Sequence, residues 1–184
     1  MNKGNQRLSI GKLRQWESLH FGMFIHFGMS TFDGDEFSKG DKPSVLYAPD
    51  RLDVDQWIGV AKNAGMKYAV LTSKHVGGHC LWDSKVQFRG KEFDYDVATS
   101  GNKTDVVADF VKACKKHGLT PGLYWCLLDF RNNSVPHGPQ WTKGRLPDDF
   151  YQLARDQFTE LIRRYPEVSY YWIDIPRAAS AGQR

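Results

Sequence analysis

The chain has 184 residues, of which 41% are hydrophobic and 25% charged, a composition typical of a globular domain rather than a disordered segment. The net charge of +4 is mild and the basic residues are scattered, which argues against nucleic-acid binding. Three cysteines without a CxxC pair argue against a disulfide framework and against a zinc site, so we expect neither a metal nor a cofactor.

Short apolar runs alternate with stretches of helical periodicity along the chain. Strands are predicted over 22–28, 68–75, 119–128 and 168–174, and helices over 53–65, 104–118 and 148–165. A β-α-β-α-β-α-β order predicts a parallel sheet with right-handed crossovers. No helix is predicted after the fourth strand, so we expect the fold to be incomplete.

Polar side chains gather where the predicted strands end, at His26, His75, Asp129 and Asp174. In parallel α/β folds, this edge of the sheet carries the chemistry. No GxGxxG or GxxxxGK[ST] motif occurs, which argues against the common nucleotide-binding folds. The aromatic content of 14% suits either a large core or a sugar site lined by flat rings.

The cellular location of the protein is inferred only from the targeting signals that the sequence lacks. No apolar run is long enough to span a membrane, and the N-terminus lacks the apolar stretch of a signal peptide. We therefore expect no membrane association and a cytoplasmic location, with a secreted or periplasmic origin left open.

Six segments, in this order, resemble the N-terminal half of the catalytic domain of family 29 α-L-fucosidases. They are WESLHFGMFIHFG (16–28), AVLTSKH (69–75), CLWDS (80–84), YDV (95–97), GLYW (122–125) and YWID (171–174). The resemblance implies a TIM barrel, which needs eight βα units and about 250 residues. With four strands and three helices, the chain 1–184 is expected to form a truncated TIM barrel, a half-barrel with an N-terminal extension (1–15) and an irregular tail (176–184).

The resemblance also implies a reaction. Family 29 enzymes hydrolyse terminal α-L-fucosides with retention, and Asp174 matches the carboxylate that forms the covalent glycosyl-enzyme. The family's KHHDGF-like motif reads Lys74-His-Val-Gly-Gly-His79 here, and we expect His79 to replace the missing second histidine. The substrate-binding residues expected from the resemblance are His26, Glu36, His75, His79, Trp82, Tyr124 and Trp172.

Retaining hydrolysis needs a second carboxyl group about 5–5.5 Å from the nucleophile. In the family this acid/base follows the nucleophile strand. The candidates here are Glu36, Asp129 and Asp83, or a carboxyl from a neighbouring subunit. Two alternatives stay open: a fucose-binding, lectin-like half-barrel that turns over weakly or not at all, and a truncation product without function.

A half-barrel also predicts assembly. Its first and fourth strands are open edges that invite pairing, and the face meant for the barrel interior is apolar. We therefore expect a homo-oligomer, in which two half-barrels complete one barrel or the sheets stack in a larger ring. The expected small-molecule partner is a fucosylated oligosaccharide or glycoside.

Overall fold

The computed structural model describes residues 8–132 and 146–176. The four predicted strands and three predicted helices occur in the predicted order. In chain order they are α1 (Ile10–Glu17), β1 (Gly22–Ile25), α2 (Met29–Asp33), α3 (Val54–Asn63), β2 (Tyr68–Lys74), β3 (Gln87–Phe88), β4 (Lys91–Glu92), α4 (Val106–His117), β5 (Thr120–Cys126), α5 (Asp148–Arg164) and β6 (Tyr170–Asp174). None of the helices in the described ranges is long and apolar enough to cross a membrane.

The main sheet contains the four predicted strands in the order β1-β2-β5-β6, all parallel. Its register pairs Gly22 with Tyr68, and Cys126 with Asp174. The pairing of β2 with β5 shifts between Thr72 and Lys74, just before β2 ends. The fold class is therefore confirmed: a four-stranded portion of a parallel barrel, with its carboxyl ends on one rim.

The helices begin and end where the sequence supplies caps. Asp53 accepts a hydrogen bond from Gln56 N at the start of α3, and Asp105 accepts one from Ala108 N at the start of α4. Gly118 ends α4 with φ +70°, a conformation that glycine adopts without steric cost. These local signals explain why the predicted helix bounds are right to within about two residues.

Helices cover one face of the sheet, which we call the outer face. Phe158 of α5 packs on Trp125 and Tyr171, with ring centroids 5.4 and 5.1 Å apart. Ile58 of α3 and Phe110 of α4 are fully buried. Burial of this apolar layer is the main favourable term in folding.

The opposite face, here called the inner face, carries Phe24, Tyr68, Tyr124, Tyr170 and Trp172, whose rings contact one another across the strands. Trp172 is 56% exposed and Phe24 is 49% exposed. A groove of about 360 Å³ runs over this face. The prediction of an exposed apolar face is confirmed, for the described part of the chain, at Phe24 and Trp172.

Three local elements were not predicted. Residues 10–17 lie within or next to the predicted extension but form α1, capped by Ser9, and Trp16 packs on Tyr68 and Tyr170 of the inner face. The predicted loop after β1 contains α2, and β3 with β4 forms a short hairpin. Most of the predicted tail, 177–184, lies outside the described residues.

Candidate active site

Four predicted site residues meet on the carboxyl rim of the sheet, one from each strand. The imidazoles of His26 and His75 lie edge to face, with centroids 4.6 Å apart. The His75 ring lies 5.8 Å from the Tyr124 ring. Tyr124 Oη donates a hydrogen bond to Asp174 Oδ2 at 2.6 Å. The parallel sheet therefore lines up two imidazoles, a phenol and a carboxylate along one edge.

Asp174 is half-buried and held by two donors. Besides the Tyr124 hydroxyl, the backbone N–H of Ile175 donates to Oδ1 at 2.9 Å. Ile175 has φ +51°, a left-handed conformation that is strained for a β-branched residue. Burial, Cys126 and the carboxylate raise the pKa of Tyr124, so the phenol stays protonated and donates. The two donors thus fix the orientation of the carboxylate.

The two histidines are neutral at physiological pH. Burial and, to a smaller extent, the neighbouring His26 lower the pKa of His75 to about 4, against the opposite effects of Asp174 and the backbone of Glu36. Burial also lowers the pKa of His26. The His26 Nε2 atom lies 2.8 Å from Ser30 Oγ on α2, which anchors the ring. A neutral imidazole offers one donor and one acceptor, as a sugar hydroxyl requires.

Glu36 is exposed and lies beside this pair. Its carboxylate raises the pKa of His26, and its backbone favours the protonated form of His75. The next residue, Phe37, is half exposed and stacks on His75, with centroids 6.3 Å apart and rings 29° from parallel. Phe37 was missed by the sequence analysis, although its place directly after Glu36 in the loop was a usable signal.

Two predicted sugar contacts, His79 and Trp82, are buried and paired with other side chains, unlike the exposed position that a sugar contact predicts. His79 is only 4% exposed, its Nε2 pairs with Ser100 Oγ at 2.8 Å, and burial lowers its pKa to about 3. Trp82 is fully buried, and its indole N–H donates to Glu160 Oε2 on α5 at 2.8 Å. Both side chains are thus buried and hydrogen-bonded within the described part of the chain.

Two candidate acids are also engaged elsewhere. Asp129 is fully buried, pairs with Lys74 at 3.9 Å and accepts two hydrogen bonds from Asn132. Asp83 forms an ion pair with Lys85 at 2.8 Å. Within the described ranges, Glu36 is the one predicted acid/base candidate that lies beside the imidazole pair and is exposed.

Trp172 lies on the inner face below the rim, two residues before Asp174. Its ring meets Phe24 edge to face at 5.8 Å, and more than half of its surface is exposed. This position is compatible with the predicted contact to a sugar. No group of three side chains able to ligate a metal occurs among residues 8–132 and 146–176.

Comparisons with known proteins define the class. The profile described as Alpha-L-fucosidase matches residues 41–183. The chain is 33% identical to Alpha-L-fucosidase 1 of Arabidopsis thaliana over 163 residues, covering 87% of this chain and 29% of the relative. The chain belongs to the α-L-fucosidase family, and it spans about three-tenths of the length of this curated relative.

Solved structures agree on the fold. A glycoside hydrolase family 29 member from an unknown rumen bacterium superposes with a TM-score of 0.73 at 29% identity, covering 90% of this chain and 27% of that one. A family 29 α-L-fucosidase of Bacteroides thetaiotaomicron, trapped as a covalent intermediate with 2-fluoro-fucosyl fluoride, matches with a TM-score of 0.71 at 25% identity. That match covers 91% of this chain and 42% of the other.

Proposed function

We propose that the chain carries the nucleophile half of a retaining α-L-fucosidase and that Asp174 is the nucleophile. The observation that supports this most directly is the pairing of Asp174 with Tyr124 at 2.6 Å, beside the neutral imidazoles on the rim of a parallel sheet. Family membership supplies the substrate class, a terminal α-L-fucoside. The Bacteroides relative, with its trapped covalent intermediate, supports the two-step route.

In this proposal each rim residue has a part. The Asp174 carboxylate attacks the anomeric carbon, the bond from that carbon to the leaving oxygen breaks, and an ester forms. Neutral His26 and His75 bind sugar hydroxyls, and Trp172 packs against the ring. Glu36 gives a proton to the leaving oxygen and then takes one from the attacking water.

The first experiment compares nitrophenyl α-L-fucoside hydrolysis by the wild type, by Asp174→Gly and by a matched control, Asp148→Gly, at an exposed position in the first turn of α5. We expect Asp174→Gly to lose activity by orders of magnitude and the control to keep it. Equal activity in the wild type and Asp174→Gly would remove Asp174 from its role. Fucose binding without turnover in the wild type would select the lectin-like alternative.

Glu36 is tested by changing the leaving group. Nitrophenolate departs without protonation, whereas a sugar alkoxide needs an acid. Glu36→Gln should therefore slow hydrolysis of a fucosylated disaccharide far more than formation of the glycosyl-enzyme from the nitrophenyl substrate. An equal loss on both substrates would assign Glu36 to binding alone.

We also propose that a second copy of the chain covers the inner face. Four parallel strands from each of two copies give the eight of a closed barrel, with β6 of one copy beside β1 of the next. Neighbouring strands lie about 4.8 Å apart, which would bring the second copy's loop with Glu36 close to Asp174. The exposed rings of Phe24 and Trp172 support such a contact.

Light scattering tests the assembly. The protomer mass is 21.1 kDa, and we expect a multiple of it at micromolar concentration. Phe24→Asp should lower the measured mass, whereas Ile162→Asp on α5, at a site that is 46% exposed compared with 49% for Phe24, should not. A wild-type protein that stays at the protomer mass would contradict the assembly.

Mixing variants tests whether two copies share a site. Asp174→Gly and Glu36→Gln, each weak alone, should recover about a quarter of wild-type activity when mixed, because half of random pairs are mixed and one of their two sites is intact. No recovery, in a mixture shown to exchange subunits, would place both carboxyls on one chain.

A further inference from the structure

The loop that follows α2 exposes Glu36 and Phe37 and buries the residues next to them. Glu36 and Phe37 are exposed, whereas Ser38 is only 2% exposed and Gly40 is buried. A Cβ added at Gly77, in the loop after β2, would lie 2.9 Å from the Ser38 side chain, so the two loops are in direct contact. Because Ser38 directly follows Phe37, holding the buried end of the loop restricts where the two exposed side chains can lie.

Arg131, in the turn after β5, holds this buried end. Its Nη1 atom donates a hydrogen bond to Gly40 O at 2.8 Å. Gly40 has φ +70°, and a Cβ added there would lie 2.7 Å from Arg131 Cβ and 2.6 Å from Gly77 O. Glycine adopts this conformation and permits this close approach because it has no side chain. The contact therefore joins the loop after α2 to a turn that lies 91 residues further along the chain.

The Arg131 side chain and the backbone beside it are themselves fixed. The guanidinium carbon lies over the Tyr95 ring, 4.0 Å from its centroid, and Tyr95 is 1% exposed. A guanidinium that both stacks on a ring and donates a hydrogen bond has a defined orientation. The preceding backbone N–H, that of Phe130, donates to Val76 O at 2.7 Å. The same turn therefore also holds the residue that follows His75.

We propose that Arg131 is a positioning residue that clamps Gly40 and so holds Glu36 and Phe37 beside His75. The loop after α2 and the loop after β2 are then both referred to one fixed turn, which sets the distance between them. The chemical consequence rests on the proposed function. If Glu36 is the acid/base, loosening the clamp misplaces its carboxyl group while Asp174 keeps its own partners.

The first test measures the Phe37–His75 contact by NMR and needs neither sugar nor turnover. The wild type should show nuclear Overhauser effects between the two rings, which stack with centroids 6.3 Å apart. Arg131→Met removes the donors but keeps an apolar stem, and Gly40→Ala disturbs the same contact from the other side. Both variants should weaken these signals and leave the signals between His26 and His75, whose centroids lie 4.6 Å apart, unchanged.

Arg164→Met is the matched control on α5. Arg164 also donates to a backbone carbonyl, that of Asp83, and its guanidinium lies over a tyrosine ring, that of Tyr165, at 5.6 Å. This variant should keep the Phe37–His75 signals. A folded Arg131→Met protein with wild-type signals, or an equal loss in Arg164→Met, would overturn the clamp. Arg131→Gln, whose shorter side chain does not reach Gly40 O, serves if Arg131→Met does not fold.

The second test asks whether the clamp acts through Glu36. Arg131→Met should slow hydrolysis of a fucosylated disaccharide by up to about 100-fold, as a misplacement of about 1 Å can cause, and slow glycosyl-enzyme formation from a nitrophenyl fucoside much less. Added to Glu36→Gln, it should cause no further loss. Equal losses on both substrates, or a further loss in the Glu36→Gln background, would overturn this route. A wild type that hydrolyses neither substrate would contradict the proposed function, and the NMR result alone would then decide the clamp.

Discussion

The hydrogen bond between Tyr124 and Asp174 makes a prediction about which step of turnover slows when it is removed. Tyr124→Phe keeps the ring that packs on Phe24 and His75, and leaves Ile175 N–H as the remaining donor to the carboxylate. A hydrogen bond to a charged group contributes about 1.5–3 kcal/mol, which corresponds to about 10- to 100-fold in rate. The effect on turnover depends on whether attack by Asp174 or hydrolysis of the ester loses this stabilisation.

The carboxylate is charged before attack and again after the ester breaks. In the first step the tyrosine stabilises the attacking group, so its loss hardly slows attack. In the second step it stabilises the departing carboxylate, so its loss slows hydrolysis of the ester. We expect kcat for a nitrophenyl fucoside to fall about 10- to 100-fold and kcat/KM to fall much less, with a burst of nitrophenolate.

Stopped-flow absorbance measures both the burst and the steady state. Tyr47→Phe, which removes a buried hydroxyl without a partner, is the matched control and should leave both constants unchanged. A folded Tyr124→Phe enzyme with wild-type kcat, or with kcat/KM reduced as much as kcat, would refute this reasoning.

Further predictions concern stability. Glu160→Gln removes a carboxylate that accepts hydrogen bonds from Trp82 Nε1, Ser84 Oγ and Lys85 N, so the free energy of unfolding in urea should fall by about 2–3 kcal/mol. The exposed control, Glu92→Gln, should change this free energy little. A shift below about 0.5 kcal/mol in Glu160→Gln would contradict the prediction. His79 has a folded pKa of about 3, below the ordinary 6.5, so the unfolded chain binds its proton first and stability falls as pH drops below about 6.5. Between pH 7.5 and 5.0 the wild type should lose about 2 kcal/mol more than His79→Gln; equal losses would show that His79 is not the group involved.

The strand and helix pattern could be predicted because each element carries its own signal. Asp53, Asp105 and Gly118 are local caps, and apolar runs mark the buried strands. Once the sheet is parallel, the ends of its strands must share one rim. The grouping of His75 with Asp174 follows from that topology rather than from sequence distance.

The burial of His79 and Trp82 could not be predicted from the local sequence. Gly78 has φ +88°, an added Cβ there would meet Asp129, and the next residue, His79, is buried. Trp82 finds its partner, Glu160, 78 residues along the chain. Such distant pairing leaves no short-range pattern in the sequence. The resemblance to the family motif, by contrast, suggests a sugar contact at Trp82.

The most direct test of the central claim is to find where a fucosyl label attaches. 2-Fluoro-fucosyl fluoride, the reagent used on the Bacteroides relative, has a leaving group that departs without an acid, so labelling depends on the nucleophile rather than on Glu36. Mass spectrometry of the digested protein should find one fluorofucosyl group, on Asp174, and none in Asp174→Gly. Labelling of another carboxylate, or a label that persists in Asp174→Gly, would contradict the account.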